Sequence, residues 1–554
     1  MQSSFFSGPH PVIRGAFFLT AAGMLTRVMG FFYRIFLSRS IGAEQVGIYQ
    51  MIFPVYGVLC AASSSGIQTA ISRLTAAEAS SGADTRFLRC GLFTALLLAS
   101  LGSAGLLAFA DPLAETLLEE PRCAPLLRAL AFCVPLSSIH ACISGFYYGL
   151  MRAAVPSLSL LAEQSARMLF IFMAWKISLQ EGIALPLSAT VWALGTGELA
   201  AVLFCVTAMG MKTPQGNHSD VRSVPAFSHR RTSRLQGRLK RKVRTVQDST
   251  DCSAPGFRSY SLPGTLSVMP KLLVLALPLT ANRLFISLLA AGEAALLPAR
   301  LQSYGHSAPT ALILYGVLTG MAMPLILFPT AITNAVSVLL LPAVARTLSD
   351  ANPRKLTHTI ATAIQYCLVL GIFFFGVFFL YGNVLGTVLY KNALAGDFLR
   401  TLSFICPFLY LNASLSSILA GLGRTVTLFW HNTISLLLRL SFVHFLVPRY
   451  GMQAYFWGLL ASLLCQTLCS LFVLYPYLGF SFPAVRWIVL PSGFLVLAAG
   501  AGFFAAPFLN AWLSGFPLFL LAGKIGVTAV FYFLLVFLYQ VLPFHHHARP
   551  VHTR

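Results

Sequence analysis

Two arginines in the first long apolar stretch carry the most specific chemistry in this sequence. Small and polar residues recur there every three or four positions and so form one stripe on a helix: Thr20, Gly23, Arg27, Gly30, Arg34 and Ser38. The stripe holds two guanidinium groups and no acid, and a guanidinium forks readily onto phosphate oxygens. We therefore expect Arg27 and Arg34 to bind an anion such as pyrophosphate. The alternative, more natural for Arg34, is that the side chain extends toward lipid headgroups at the outer interface.

Further ionisable residues lie within other apolar stretches. Arg283 is placed to add positive charge to the same anion site from the second half of the chain. Glu163 and Arg167 are four positions apart, the spacing of an ion pair within one helix. Glu198 and Glu293 have no evident partner in the sequence. Glu163 is thus interpreted as a structural acid paired with Arg167, with a coupling role as the alternative. Glu198 and Glu293 either accept a proton or cation in coupling or bond to Arg283 or to another helix.

Proline breaks followed by polar runs occur in two corresponding stretches. Pro54 precedes one run, and Pro324 and Pro329 precede the other. Paired broken helices of this kind are typical of the central site of a transporter. We expect four polar residues from these runs to line a cavity: Ser64, Gln68, Thr333 and Asn334.

The sequence contains no motif for catalysis, for nucleotide hydrolysis or for a metal. The 11 cysteines form no CxxC pair, and His545, His546 and His547 lie in the terminal tail. The chain is therefore predicted not to be an enzyme and to need no cofactor and no metal.

The composition requires a membrane protein. Of the 554 residues 57% are hydrophobic and only 10% charged, with a mean hydropathy of +0.77, whereas soluble proteins carry about 25% charged residues. Stretches of about 20 apolar residues can each cross a bilayer. We predict an all-α polytopic membrane protein with about fourteen transmembrane helices, over 12–38, 46–72, 87–110, 124–150, 156–175, 183–211, 270–298, 311–342, 356–381, 398–420, 427–447, 453–475, 487–509 and 516–542.

The distribution of positive charge predicts the orientation. With the N-terminus in the cytoplasm, the inside segments hold 24 of the 38 Lys and Arg residues and the outside loops hold 9. This bias places both termini in the cytoplasm. Twelve of the 24 lie between Lys212 and Lys271, in a segment that we expect to be a cytoplasmic linker near anionic headgroups. Nucleic acid is not expected as a partner, because the basic core of the linker lacks aromatic residues for stacking.

An internal repeat divides the helices. Five residues recur 272 positions later in the same order: Ser144, Gly149, Leu150, Arg152 and Arg167 match Ser416, Gly421, Leu422, Arg424 and Arg439. Helices six apart thus correspond, which predicts two pseudo-symmetric six-helix lobes plus two C-terminal helices. The expected division is an N-terminal lobe over 1–211, the linker over 212–269, a C-terminal lobe over 270–475, and two extra helices with the tail over 476–554.

The stretch LTAAGMLTRVMGFFYRIFLSRSIGAEQVGIYQMIFPVYGVL, from Leu19 to Leu59, resembles the stage V sporulation protein B group. This group belongs to the multidrug/oligosaccharidyl-lipid/polysaccharide (MOP) exporter superfamily, in the polysaccharide biosynthesis branch. The resemblance extends through Tyr315 to Ala345. It implies a two-lobed transporter that flips polyprenyl-pyrophosphate-linked sugars by alternating access. The related lipid II flippases carry first-helix arginines in a pattern similar to Arg27 and Arg34. Their arginines in helices 2 and 8 have no counterpart here.

The resulting hypothesis is a flippase in the cytoplasmic membrane that moves a lipid-linked glycan precursor of the cell envelope, with lipid II as one possibility. Its partners would be the lipid-linked oligosaccharide and membrane lipids. Two alternatives stay open at this stage. One is a cation-coupled multidrug antiporter of the same superfamily, and the other is a non-transporting membrane scaffold that recruits enzymes of envelope or spore-cortex synthesis.

Overall fold

The computed structural model describes residues 11–78, 85–210, 268–349, 353–478, 483–513 and 515–541. These segments are almost entirely helical, with short turns between the helices, and contain no strand, as the sequence predicts. The α-helices are α1 Pro11–Cys60, α2 Gly66–Glu78, α3 Arg86–Ala108, α4 Ala110–Pro112, α5 Cys123–Ala131, α6 Cys133–Gly149, α7 Ala154–Glu181, α8 Leu187–Gly210, α9 Met269–Ser303, α10 Ala308–Gly316, α11 Met323–Leu327, α12 Thr330–Ser349, α13 Pro353–Tyr390, α14 Ala393–Leu402, α15 Cys406–Gly421, α16 Thr425–Ser441, α17 Val447–Tyr450, α18 Met452–Leu478, α19 Leu490–Leu513 and α20 Pro517–Val541. The predicted basic linker and the histidines of the tail lie outside the described residues.

Wide π-helical turns interrupt several of these helices. Two of them lie in the stretches where the sequence predicts broken helices: Ala61–Ser65 joins α1 to α2, and Val317–Ala322 joins α10 to α11. A second break at Phe328 and Pro329 separates α11 from α12. Such turns occur frequently at functional sites, because they widen the helix and redirect its side chains.

The predicted count of fourteen spans is not confirmed. Among the described residues, eleven helices are long and apolar enough to cross a membrane, or twelve if the bent pair α5 and α6 counts as one span. The first two predicted spans form one helical run, Ala21–Ala77, with a kink at Gly42, where φ is 81°. At about 1.5 Å per residue this run is far longer than a bilayer is thick, so the kink must separate two crossings. The predicted span over 156–175 corresponds to α7. This helix is not among the eleven, and it carries the charges of Glu163, Arg167 and Lys176.

The surface and the core fit a membrane protein. Large apolar side chains are widely exposed, Phe472 at 81% and Phe503 at 77% of their full area. Surface of this kind is expected to face lipid. Inside, α1 packs against α10, and its residues Ile48 and Met51 are almost fully buried in one continuous core.

Glycines allow the two halves of the chain to approach closely in two places. A Cβ added to Gly316 in α10 would lie 2.6 Å from the backbone nitrogen of Gly47 in α1. A Cβ added to Gly66 in α2 would lie 2.7 Å from the backbone nitrogen of Thr280 in α9. A side chain at either glycine would force the helices apart, so both crossings require a residue without a Cβ.

The structure also shows local symmetry between the halves. Gly149, at the end of α6, packs against Ser72 and Thr75 of α2. Its repeat partner Gly421, at the end of α15, packs against Leu341 and Val344 of α12. The same kind of contact therefore occurs in both halves, while the exact lobe boundaries stay a prediction.

Candidate functional site

The arginine stripe of α1 lines a cavity of about 460 Å³. The lining residues from α1 are Thr26, Arg27, Gly30, Phe31 and Arg34, and those from the second half are Pro324, Leu327, Phe328 and Thr330. Both arginines keep more than a third of their surface exposed. A Cβ added to Gly30 would meet one atom within 4 Å, the Gln164 amide nitrogen at 3.8 Å, so the glycine leaves open space beside the arginines.

Arg27 bridges the two halves of the chain across this cavity. Its Nη1 donates to Thr330 Oγ1 at 3.1 Å, and the Thr330 hydroxyl in turn donates to the Leu327 carbonyl. The amide of Asn334, with its oxygen turned to the guanidinium, accepts from Arg27 Nη2 at 2.8 Å. The structure thus brings the predicted residues Arg27 and Asn334 together through neutral partners.

Arg34 lies about two helical turns further along α1 and lines the same cavity. Among the described residues it makes no hydrogen bond and no ion pair with an acid. A permanent charge within a membrane helix is costly unless it meets water or a ligand, so its position on the cavity lining is significant. The cavity lining as a whole holds two guanidinium groups and no carboxylate.

Arg283 does not share this cavity. It lines a second one of about 420 Å³, together with Ser64, Gln68 and Ser137. Arg283 Nη2 lies 3.4 Å from Thr69 Oγ1, and the Ser64 hydroxyl donates to the Cys60 carbonyl at 3.0 Å. Three predicted site residues therefore meet here, around a single positive charge.

Thr333 faces different surroundings. Its hydroxyl donates to the Thr330 carbonyl at 3.2 Å, and the residue lines an apolar cavity of about 320 Å³ between α12, α13 and α20. Val336, Phe533 and Phe537 are among the other lining residues. The structure thus separates Thr333 from its neighbour Asn334, which meets Arg27.

Two of the three predicted acids meet in one buried cluster with a histidine. Arg167 Nη2 lies 2.5 Å from Glu163 Oε1, and Glu198 Oε1 accepts from the Tyr56 hydroxyl at 3.1 Å. His140 Nδ1 lies 3.3 Å from Glu198 Oε2 and 4.0 Å from Glu163 Oε2. Sequence reasoning missed His140, although it stands 272 positions before Asn412 and so differs in type from its repeat partner.

The third acid, Glu293, belongs to a separate buried group. Its carboxylate accepts from Arg439 Nη2 at 2.6 Å and from the Tyr455 hydroxyl at 3.0 Å. Glu293 therefore bonds to the repeat partner of Arg167 rather than to Arg283. Positive and negative charge balance within this group.

Comparisons with known proteins agree with the resemblance predicted from the sequence. A family model described as polysaccharide biosynthesis protein matches residues 12–222. Stage V sporulation protein B of Bacillus subtilis (strain 168) is 24% identical over 441 residues, which cover 79% of this chain and 78% of that protein. Over most of its length the chain is thus similar to stage V sporulation protein B.

Two transporters of known structure share this fold. The lipid II flippase MurJ in an inward closed conformation superposes with a TM-score of 0.62 at 13% identity, covering 94% of this chain and 99% of that one. An inward-facing multidrug resistance transporter of the MATE family superposes with a TM-score of 0.58 at 14% identity, covering 84% and 99%. The chain therefore has the fold of these two proteins, and its long apolar helices make it a multi-pass membrane protein.

Proposed function

We propose that this chain is a flippase that moves a polyprenyl-pyrophosphate-linked precursor of a cell-envelope glycan across the cytoplasmic membrane. The observation that carries the proposal is the shared cavity of Arg27 and Arg34, which has two permanent positive charges and no acid in its lining. A diphosphate offers the paired oxygens that guanidinium groups bind in bidentate fashion. The cavity volume of about 460 Å³ also falls within the range of small-molecule sites.

The placement of the cavity supports alternating access. It lies between α1 of the first half and α11 and α12 of the second, so a ligand held there would contact both halves. The glycine crossing of Gly47 and Gly316 brings the two halves into backbone contact close to the Gly42 kink, at one end of α1's second crossing. In the orientation predicted from the charge distribution, with both termini in the cytoplasm, that end is the extracellular one. The structure would then represent a state closed to the outside.

The lipid tail of such a substrate needs an apolar path. The cavity between α12, α13 and α20 is lined by Val336, Phe533 and Phe537 and adjoins α12, the helix that also supplies Thr330 to the arginine cavity. We place the first part of the tail there, with the remainder in the bilayer.

The charges favour this function over export of cationic drugs. The acids that would bind a cationic drug are occupied, Glu163 by Arg167 and Glu198 by Tyr56. Neither acid lines one of the three cavities. In the arginine cavity a positive ligand would meet two guanidinium groups and no acid.

Reconstituted vesicles test the proposal directly. A polyprenyl-pyrophosphate glycolipid with a fluorescent head group is placed in both leaflets, and an impermeant reductant bleaches only the outward-facing label. We expect the parent protein to allow nearly complete bleaching, and the variants Arg27→Ala and Arg34→Ala to slow it at least tenfold. Arg89→Ala is the matched control, since Arg89 is exposed and hydrogen-bonded to Thr85 within its own turn.

The outcome decides between the alternatives. Equal bleaching by the parent protein, both cavity variants and protein-free vesicles would refute a flippase. Transport that survives both substitutions in normally inserted protein would refute the role of the two arginines. A scaffold would show no movement of the glycolipid in any variant.

A further inference from the structure

A buried polar cluster in the first half lies apart from the three cavities. Its members come from four helices: Tyr56 from α1, His140 from α6, Ser159, Glu163 and Arg167 from α7, and Glu198 from α8. His140 is 8% and Glu198 6% exposed. Charged groups buried to this extent in a membrane helix normally serve a purpose or neutralise one another.

The hydrogen-bond geometry around His140 accommodates an additional proton. Nδ1 faces the Glu198 carboxylate at 3.3 Å, and an ionised carboxylate can only accept, so Nδ1 carries a proton. Nε2 lies 2.9 Å from Ser159 Oγ, and that hydroxyl also lies 2.9 Å from the Pro156 carbonyl. A neutral imidazole accepts from Ser159, whereas an imidazolium donates to Ser159, whose own proton then goes to Pro156. One additional proton is therefore bound with every group satisfied.

The charge balance gives the same count. With neutral His140 the cluster contains two carboxylates and one guanidinium, which leaves one buried negative charge. The charged groups that interact with His140 are Glu198 and Glu163, and Arg167 faces Glu163 from the same helix. Tyr56 and Cys60 from α1, together with Cys133 from α6, are the other titratable groups that face Glu198. One bound proton makes the cluster neutral.

The second half of the chain shows that the fold does not need this cluster. At positions 272 residues later, His140, Glu163 and Glu198 are replaced by Asn412, Ser435 and Ser470. All three replacements are neutral and buried. The titratable set was therefore not imposed by the packing of the repeat.

A proton suits the cluster better than a metal ion does. The ligating atoms of His140, Glu163 and Glu198 lie within 4.8 Å of one another, which is close enough for an ion. However, the Arg167 guanidinium already binds Glu163, and it would repel a divalent cation. A proton needs no coordination shell and removes the excess charge by itself.

We infer that His140, Glu163 and Glu198 form a proton-binding site that couples transport to the pH gradient. Only the coupling to transport rests on the proposed function; the proton-binding site itself does not. The connection to the transport path is Tyr56, which donates to Glu198 and immediately precedes Gly57 on the lining of the second cavity. A proton on Glu198 removes the negative charge that the Tyr56 hydroxyl faces, and Tyr56 lies five residues before the broken segment Ala61–Ser65.

Proton binding is measured first, without any lipid substrate. Nitrogen-15 NMR of histidine-labelled protein in nanodiscs follows the imidazoles from pH 4 to pH 9, and His140→Asn assigns the resonance. We expect Glu198→Gln to move the midpoint of this titration downward by at least one pH unit, because the imidazolium loses its anionic partner. His431→Asn is the matched control, since His431 in α16 bonds to Ser470 and contacts no acid.

Coupling is measured second, in the vesicle assay with the membrane potential clamped at zero. The parent protein and His431→Asn should move labelled glycolipid several-fold faster with an imposed pH gradient than without one. His140→Asn and Glu198→Gln should give a ratio near one. If His140→Asn fails to insert, His140→Gln replaces it in both measurements.

The two measurements separate the failures. A His140 imidazole that does not change protonation between pH 4 and 9, or whose midpoint ignores Glu198→Gln, overturns the proton site whatever the transport result. Zinc or manganese at one equivalent per chain that displaces the His140 proton signal at micromolar concentration also overturns it, in favour of a metal site. A normal titration with no glycolipid movement in any variant refutes the proposed function and the coupling, and leaves the proton site standing.

Discussion

The different surroundings of Arg27 and Arg34 predict different losses of diphosphate affinity when each is replaced by alanine. Arg34 has no hydrogen-bond partner among the described residues, so it can bind a phosphate oxygen without giving up a contact. A hydrogen bond to a charged group contributes about 1.5–3 kcal/mol. We therefore expect Arg34→Ala to raise the Kd for polyprenyl pyrophosphate by roughly 10- to 150-fold.

Arg27 must first leave its neutral partners Thr330 and Asn334. Each of those hydrogen bonds offsets about 0.5–1.5 kcal/mol of what the phosphate contributes. The two together offset most of that contribution, so Arg27→Ala should lose well under about 1 kcal/mol, or less than about fivefold in Kd. By the same reasoning Asn334→Ala should tighten binding by roughly two- to tenfold, because the guanidinium no longer has this competitor.

Calorimetric titration of the protein in nanodiscs with polyprenyl pyrophosphate measures these three constants, and the lipid without phosphate is the blank. Arg89→Ala should leave the constant unchanged. Equal losses for the two arginine variants, or weaker binding by Asn334→Ala, would show that the contacts seen in the cavity do not govern its affinity.

Three further predictions follow from the packing. Gly30→Leu should fold normally and abolish diphosphate binding in the same titration, because its side chain fills the arginine cavity, while Gly23→Leu, which is not on the lining, should bind as the parent does. Arg439→Met should lower the free energy of unfolding by about 3–5 kcal/mol, since it leaves a buried carboxylate without its ion pair. Arg128→Ala, whose side chain is 48% exposed and whose partner Asp111 is 56% exposed, should cost less than about 1 kcal/mol; unfolding followed by tryptophan fluorescence compares them. Gly316→Val should speed amide hydrogen exchange at the crossing of α1 and α10, because the added methyl groups meet backbone there.

Each of these expectations has a clear contrary result. Diphosphate binding by Gly30→Leu would mean that the ligand lies elsewhere. Equal stability of the two arginine variants would mean that the Glu293 pair contributes little. Unchanged hydrogen exchange in Gly316→Val would mean that the crossing relaxes without opening.

Local patterns in the sequence were sufficient to predict the helical class and the arginine stripe. Residues three and four positions apart share a helix face whatever surrounds the helix, so the spacing alone places Arg27, Gly30 and Arg34 on one surface. The spacing of Glu163 and Arg167 is equally local, and the structure shows that contact.

Contacts that depend on how the helices pack against one another could not be predicted from the sequence. Glu293 bonds to Arg439 across 146 positions, a pairing that no spacing rule contains. Arg283 lies with Ser64 rather than with Arg27 because α9 packs against α2 at Gly66. The repeat could have indicated His140, because the corresponding position in the second half is the neutral Asn412, so one half has a titratable residue there and the other does not.

The internal repeat places an arginine at the same position in each half, Arg167 and Arg439, and the different partners of these two arginines affect how rigid each half is. In the second half the Arg439–Glu293 pair runs from α16 to α9, so an ion pair fastens these two helices to each other. In the first half Arg167 finds its acid on its own helix, and the link from α6 to α8 passes instead through His140 and Glu198. One half of the protein is thus braced between helices by an arginine, while the corresponding brace in the other half is a histidine.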